Sequence, residues 1–405
     1  MLRPLVAVAL ASFVLHATRA GADDDVPRSL SLAAAVALAL DHAPALVSAR
    51  AHVAEARGAL TGVVLDNPSA SLGGGLRLRP EGVVVDVDVA LSQQIDLGLP
   101  LFARSRARSA EVDAAGAAVD DVVRIVSSSV AEAFIEAVSA RQREQLLREG
   151  SLGSARLLES VEARRRVGDV SDLDTATARA AAATDAARFR TAVADADRAE
   201  SLLRALLGIE PETPLALRAD DAPLPATSVL LQALEQRADL RTLQALERAA
   251  DADVDAAAAQ AWPALQIGAG YSHDDGDEMV VGSLGVSLPV FDRGQGEASS
   301  SLARRDGLRL ERAALLRAGR TELVGAVTAH ALRVEVLTNF DRDGVVAAGT
   351  ALALTEQAFA GGEVPLSVVL VARSVALEAR GERVSLFALV LRARARVAFL
   401  AGVSP

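Results

Sequence analysis

Hydrophobic and polar positions along this chain fall into two rhythms that alternate. From Ser31 to Leu60 the sequence is rich in Ala and predicts a helix, with Ser29 or Ser31 as its N-cap and Asn67-Pro68 as its stop. A period of two follows: Ala70, Leu72, Gly74, Leu76 and Leu78 alternate with Ser69, Ser71, Gly73, Gly75, Arg77 and Arg79. Beyond an Arg79-Pro80-Glu81-Gly82 turn, Val83, Val85, Val87, Val89 and Leu91 share one face of a second strand, with Val84, Asp86, Asp88, Ala90 and Ser92 on the other. The same two-faced pattern returns at Ala264 to Ser272 and at Val280 to Leu288, joined by an acidic loop, His273 to Glu278.

After each strand pair the period changes to three and four and holds for far longer than an average helix of about 11 to 12 residues. Leu101 to Val167 reads as one helix and Leu173 to Leu207 as its return arm; Gln295 to Ala360 and Leu366 to Leu400 form a second such hairpin. Val119, Val122, Val126, Val130, Ala133 and Ala137 keep coiled-coil spacing, as do Val384, Phe387, Leu391, Ala395 and Phe399. At 1.5 Å per residue the longest arm reaches roughly 100 Å.

The two rhythms recur because the chain is written twice. A shift of 194 residues superposes Leu46 on Leu240, Gly168 on Gly362, Val170 on Val364, Arg198 on Arg392, Leu206 on Leu400 and Gly208 on Gly402. The division this predicts is a first repeat over 23–220 and a second over 221–405.

Residues 1–22 have the form of a secretory signal peptide: an apolar run from Leu5 to Leu15, then Ala20-Gly21-Ala22 as an A-x-A cleavage site. Its removal takes Arg3 and Arg19 with it and leaves 40 basic against 53 acidic residues, a net charge of −13, which argues against nucleic acid as a partner. Cys and Lys are absent. That excludes a disulfide, a zinc–thiolate cluster and a phosphate-cradling Gly-Lys-Thr loop. The four His residues of the mature chain, His42, His52, His273 and His330, show no ligand spacing, so neither a metal site nor a cofactor is expected. No G-x-S-x-G or H-E-x-x-H pattern points to an enzyme.

Past the signal there is no run of about 18 apolar residues, so entry into a membrane requires a closed β-barrel. Four strands cannot close one. Either the sheet packs on helices in a soluble α+β protein, or several protomers contribute four strands each. Aromatic content, at 3 %, is low for a barrel.

Three stretches resemble the TolC-type outer-membrane efflux family: the opening helix Leu30 to Arg57; Ser287 to Gly294, "SLPVFDRG", at the exit from the last strand, with "SQQIDLG" as its weaker twin; and Arg166 to Asp174, "RVGDVSDLD", at a hairpin tip. The resemblance implies an α+β membrane protein in which long antiparallel α-helical hairpins build a coiled-coil periplasmic tunnel. Four β-strands per protomer would contribute to a trimeric, twelve-stranded transmembrane β-barrel in outer-membrane lipid. It implies a homotrimeric channel of a tripartite efflux system, conducting without chemistry what an inner-membrane pump and a periplasmic adaptor deliver. The adaptor would dock on the tips Arg166, Val167, Gly168, Asp169, Val170 and Ser171, and Gly361, Gly362, Glu363, Val364 and Pro365. Family members often carry an Asp six residues beyond the second tip glycine; here that position is Val368, followed by Val371, while Asp174 keeps the acid in the first repeat. A narrow apolar constriction is expected in place of an acidic gate. Asp86 and Asp88 are expected to line the lumen and favour cations. The rival class is a structural periplasmic or surface coiled-coil scaffold.

Overall fold

A computed structural model describes residues 29–61, 67–80, 82–96, 99–219, 223–274 and 277–404. The expected signal peptide lies outside them. Ser31 caps the first helix, its Oγ accepting from the Ala34 amide at 3.3 Å. The single helix expected from Ser31 to Leu60 is two: α1 (Leu32–His42) and α2 (Pro44–Thr61), bent by 50°. The cause is Pro44, which lacks an amide donor and forces Ala43 to an extended ψ of 116°.

Strands β2 (Ser69–Arg79), β3 (Gly82–Asp96), β5 (Ala264–Asp274) and β6 (Asp277–Ser287) form one antiparallel sheet in the order β2-β3-β5-β6. The expected loop His273 to Glu278 is shorter than the sequence implied. His273 pairs with Glu278 and Asp274 with Asp277, because backbone pairing continues regardless of the acidic side chains. A second, two-stranded sheet joins β1 (Leu30–Ser31) in parallel to β4 (Leu217–Arg218); two residues carry no periodicity, and the sequence pattern missed it.

The long helices are α3 (Leu99–Arg166), of 68 residues, and its return arm α4 (Asp172–Leu207). After α5 (Thr227–Glu235) and α6 (Ala238–Ala259), the second hairpin has α7 (Gln295–Phe340) and α8 (Val346–Ala360) as one arm and α9 (Leu366–Ala401) as the other. The arm expected to run unbroken from Gln295 to Ala360 carries a π-helical turn at Asp341–Val345. There Gly344 leaves room for the Phe340 ring, and Asp341 accepts from Arg383 Nε at 2.8 Å.

Two apolar clusters join the middle of α3 and the middle of the α7–α8 arm to the C-terminal ends of α4 and α9. Leu30, Val36, Val130, Phe134, Leu203 and Leu207 bind α1, α3 and α4; Leu230, Leu234, Leu323, Val397 and Leu400 bind α5, α7 and α9. Between α3 and α7, helix α6 presents a buried seam of Ala249, Ala250, Ala252 and Ala257, small enough for helix axes to approach closely. Ion pairs flank the seam: Arg241 with Asp120 at 2.9 Å on α3, Arg305 with Asp251 at 3.1 Å and Arg309 with Glu247 at 2.9 Å on α7. Asp253, within this ladder, is held above the usual carboxylate range, first by burial and then by the charge of Glu111.

At the exit from β6 the turn is self-contained. The Gly294 amide donates to Asp292 Oδ1 at 3.0 Å, the Arg293 amide to Gln295 Oε1 at 2.7 Å, and Gln295 Nε2 to the Phe291 carbonyl at 3.0 Å. Gly294 has φ +74°, and a Cβ added there would collide with the Ala257 carbonyl oxygen of α6; Gly168, at φ +81°, has nothing within 4 Å. Gly168→Ala is therefore expected to cost about 1–2 kcal/mol from the left-handed backbone alone. Gly294→Ala is expected to cost clearly more, because backbone must also move. Thermal unfolding of the detergent-purified protein followed by circular dichroism checks this, and equal shifts for the two variants would remove the crowding argument.

Candidate functional site

The sheet register sorts its side chains onto two unlike faces. Leu72 lies opposite Val89, Val89 opposite Tyr271, and Tyr271 opposite Val280; Gln93 intervenes between Ile267 and β2, but Ile267 faces Leu284. Nothing among the described residues covers this apolar face: Leu72, Leu78 and Val280 are 78, 83 and 81 % exposed. On the other face small residues dominate, with Gly73 opposite Asp88, Gly75 opposite Asp86, Asp88 opposite Ser272 and Ser92 opposite Gly268. Asp86 is half-buried and Asp88 exposed. Both outer strands, β2 and β6, have a partner on one side only among the described residues.

Some 68 helical residues away from the sheet, the two hairpins end side by side. At the first tip Gly168 takes a left-handed φ; its amide donates to the Arg165 carbonyl at 2.9 Å and the Asp169 amide to that of Arg164 at 3.0 Å. At the second tip Gly362 does the same, donating to Phe359 at 3.1 Å while Glu363 donates to Ala358 at 2.9 Å. These paired bonds are the Schellman arrangement that satisfies carbonyls at a helix C-terminus. Gly361 stays right-handed, so only the second glycine of that pair makes the turn.

The return helices start differently. Ser171 caps α4, its Oγ accepting from the Asp174 amide at 3.1 Å and donating to Asp174 Oδ2 at 2.6 Å. That engages Asp174 at the start of its own helix. Pro365, expected in the first turn of α9, is its N-cap, because its ψ of 160° is extended and the first helical residue is Leu366.

Val170 packs with Val161, Ala178, Leu366 and Phe359 in a cluster shared by the two tips, whereas Val167 is 79 % exposed. Asp169 and Glu363 are exposed and Val364 is half-buried. On α9, Leu366 and Val369 are buried while Val368 and Val371 lie on the opposite, exposed side. Arg164, which the sequence reading passed over, joins the tips. Its guanidinium sits 4.8 Å from the Phe359 ring centroid and donates to the Phe359 and Ala360 carbonyls at 3.4 Å, at the C-terminus of α8 where positive charge is favoured. The signal lay in the Arg164-Arg165-Arg166 run at a helix end, but which carbonyls it serves depends on the other hairpin. Arg165 Nε instead pairs with Asp172 at 2.6 Å across its own turn, and no polar partner of Arg166 outside its own helix is seen among the described residues.

No cluster of three or more His, Cys, Asp or Glu suited to a metal ion occurs among the described residues. No helix of the described chain is by itself long and apolar enough to cross a membrane.

No curated protein matches the chain in sequence. Residues 229–403 match the model of the outer membrane efflux protein family. Solved structures share the fold over nearly the whole length. The outer membrane protein VceC of Vibrio cholerae superposes with a TM-score of 0.74 at 21 % identity, over 92 % of this chain and 96 % of its own. CusC does so with 0.77 at 19 % identity, over 92 % of each chain, and the MtrE outer membrane channel of Neisseria gonorrhoeae with 0.74 at 18 %, over 92 % of this chain and 89 % of its own. Residues 229–403 thus resemble the outer membrane efflux protein family in sequence, and over 92 % of its length the chain has the fold of the solved outer membrane proteins VceC and CusC.

Proposed function

We propose that three copies of this chain form the outer-membrane channel of a tripartite efflux system, passively conducting small molecules that an inner-membrane pump and a periplasmic adaptor deliver. One observation carries the reading: a sheet with an uncovered apolar face, a small and polar opposite face, and two open edges. In water such a sheet exposes a large apolar surface. In hydrocarbon its edges leave backbone groups unpaired. Joining β6 of one copy to β2 of the next removes both costs, and three copies supply twelve strands, apolar outward and small or polar inward. A scaffold that kept the sheet in water would have to cover the apolar face with something. In this reading the pump selects the cargo, metals or drugs among them, and the conduit passes on what it delivers.

In the same reading the chain is a leader, 1–22, followed by two repeats, 23–220 and 221–405, each ordered as helix, strand pair and long hairpin. The recurrence of α2-β2-β3-α3-α4 as α6-β5-β6-α7-α8-α9 supports it. No nucleic acid and no cofactor take part.

Purified protein in planar lipid bilayers is expected to give discrete, long-lived conductance steps; a protein that stays soluble without detergent and never conducts would overturn the channel reading. Asp86 and Asp88, set opposite glycines on the small-residue face, should bias the lumen toward cations. Asp86→Asn with Asp88→Asn is expected to lower cation-over-anion selectivity in the same recordings, and unchanged reversal potentials would remove them from the lumen.

Val368 and Val371 are assigned to the narrow periplasmic end, as an apolar constriction in place of an acidic ring. Val368→Ser with Val371→Ser should raise single-channel conductance, whereas no change would place the constriction elsewhere. The tips, Arg166 to Ser171 and Gly361 to Pro365, are assigned to adaptor docking, with Val167 as the most exposed apolar side chain there. Val167→Asp is expected to abolish export in cells while leaving conductance in bilayers intact; export that survives would mean the adaptor docks elsewhere.

A further inference from the structure

Where the sheet gives way to helices, a crevice of about 590 Å³ is lined by Ala59 of α2, Arg104 and Arg108 of α3, Asp253 and Gln260 of α6, and Glu297 of α7. Its orientation follows from the strands. Asp96, the last residue of β3, falls on the small-residue face with Ser92 and Gln94, in the row it shares with Ala264 and Ser287. Arg104 pairs with Asp96, so the crevice opens on the side to which that face of the sheet points. The other side of the helix layer carries its own pairs, Arg106 with Asp255 at 3.5 Å and Arg305 with Asp251 at 3.1 Å. Asp251 and Asp255 each stand two residues from Asp253, and two residues are about 200° of helical turn, which sends them to the opposite side of α6.

We propose, on the reading of the small-residue face as a channel lumen, that Asp253, held between Arg108 and Arg304, lies on the lumen wall where the tunnel meets the barrel and sets the charge that permeating ions meet there. Arg304 lies 3.8 Å from the Asp253 carboxylate, while Arg108 binds Glu111 at 2.9 Å and acts on Asp253 through its charge. From α3 the charges around Asp253 are thus Arg104, Arg108 and Glu111; from α7 they are Arg304 and Glu297, which accepts from Gln260 Nε2. Asp96, Glu111, Asp253 and Glu297 stand against Arg104, Arg108 and Arg304, one carboxylate in excess per copy. Copies arranged around an axis turn that excess into a negative belt, and a belt of charge selects ions by sign.

Asp253 is the carboxylate on which the balance turns. Burial first, and then Glu111, hold its carboxyl above the usual range against the opposing pull of Arg304 and Arg108. Acidification therefore neutralises Asp253 ahead of an ordinary carboxylate, and the belt loses its negative excess. As a structural tie the pair is poor: Arg304 stays 3.8 Å away and 60 % exposed, whereas Arg309 and Arg305 bind α6 at 2.9 and 3.1 Å.

Reversal potentials of the full-length protein in planar bilayers under a potassium chloride gradient, stepped from neutral pH into acid, test the assignment. The preference for cations is expected to weaken in a step whose midpoint lies above the ordinary carboxylate value of about 4. Asp253→Asn is expected to lose this step and to show at neutral pH the weaker preference that the native protein reaches only in acid. Arg304→Gln should keep the step and move it to higher pH, since a charge that favours the Asp253 carboxylate is gone; this variant decides the matter even if Asp253→Asn fails to assemble. A native channel without the step, Asp253→Asn channels that follow the native protein at every pH, or an Arg304→Gln step that does not move would each overturn the role of Asp253 and leave the channel reading intact. If the native protein never conducts, the channel reading fails and takes the role of Asp253 with it.

Discussion

Everything in this molecule answers to the hydrogen-bonding demand of four strands. A strand's amides and carbonyls must be paired wherever water is excluded, and hydrocarbon offers no substitute partner. Within the chain, β3 and β5 meet that demand on both sides, while β2 and β6 meet it on one. In the proposed trimer the sheet is a fragment of a larger surface, its register of eleven paired rows between β2 and β3 and again between β5 and β6 continued at each edge. Its composition agrees. Side chains are large and apolar where nothing covers them and small where Asp86 and Asp88 sit, which is the inverse of a sheet packed on a helical layer.

The helices solve a different problem, that of staying straight and side by side over a great length with little core. Alanine seams bring axes close, and each Arg–carboxylate pair along their flanks adds little by itself at an exposed surface. Direction and register come from the ends. Left-handed glycines at Gly168, Gly208, Gly362 and Gly402 stop each arm, Ser171 starts α4, and buried Arg237 ties the far end of α9 to α6 by donating to the Leu400 carbonyl at 3.0 Å and to both oxygens of Asp239. Arg164 performs the corresponding task between the tips. Buried charge appears where these restraints converge: Glu200 lies between Arg141 at 2.7 Å and Arg204 at 2.9 Å, where a carboxylate without both partners would be costly.

Strand and helix periods and the glycine tips were legible in the residues, because each depends on neighbours within a turn or a pleat. Ser171 and Gly168 show this best: a cap and a left-handed turn are local events. The same local rule failed at Pro44, read as part of one helix though its ring bends the chain. It failed again at the π-helical turn Asp341–Val345, where the Phe340 ring needs the space beside Gly344.

By itself, the sequence determined which segments form the four-stranded sheet and which are long helices, which face of each of those strands is apolar, and where the hairpins reverse, since periodicity and backbone sterics act over a few residues. Only the tertiary structure decided that β3 pairs with β5 across 168 positions of chain, that Arg164 reaches the end of α8, and that Asp174 serves its own helix cap. Those outcomes depend on which distant segments lie side by side, and no local pattern carries that information.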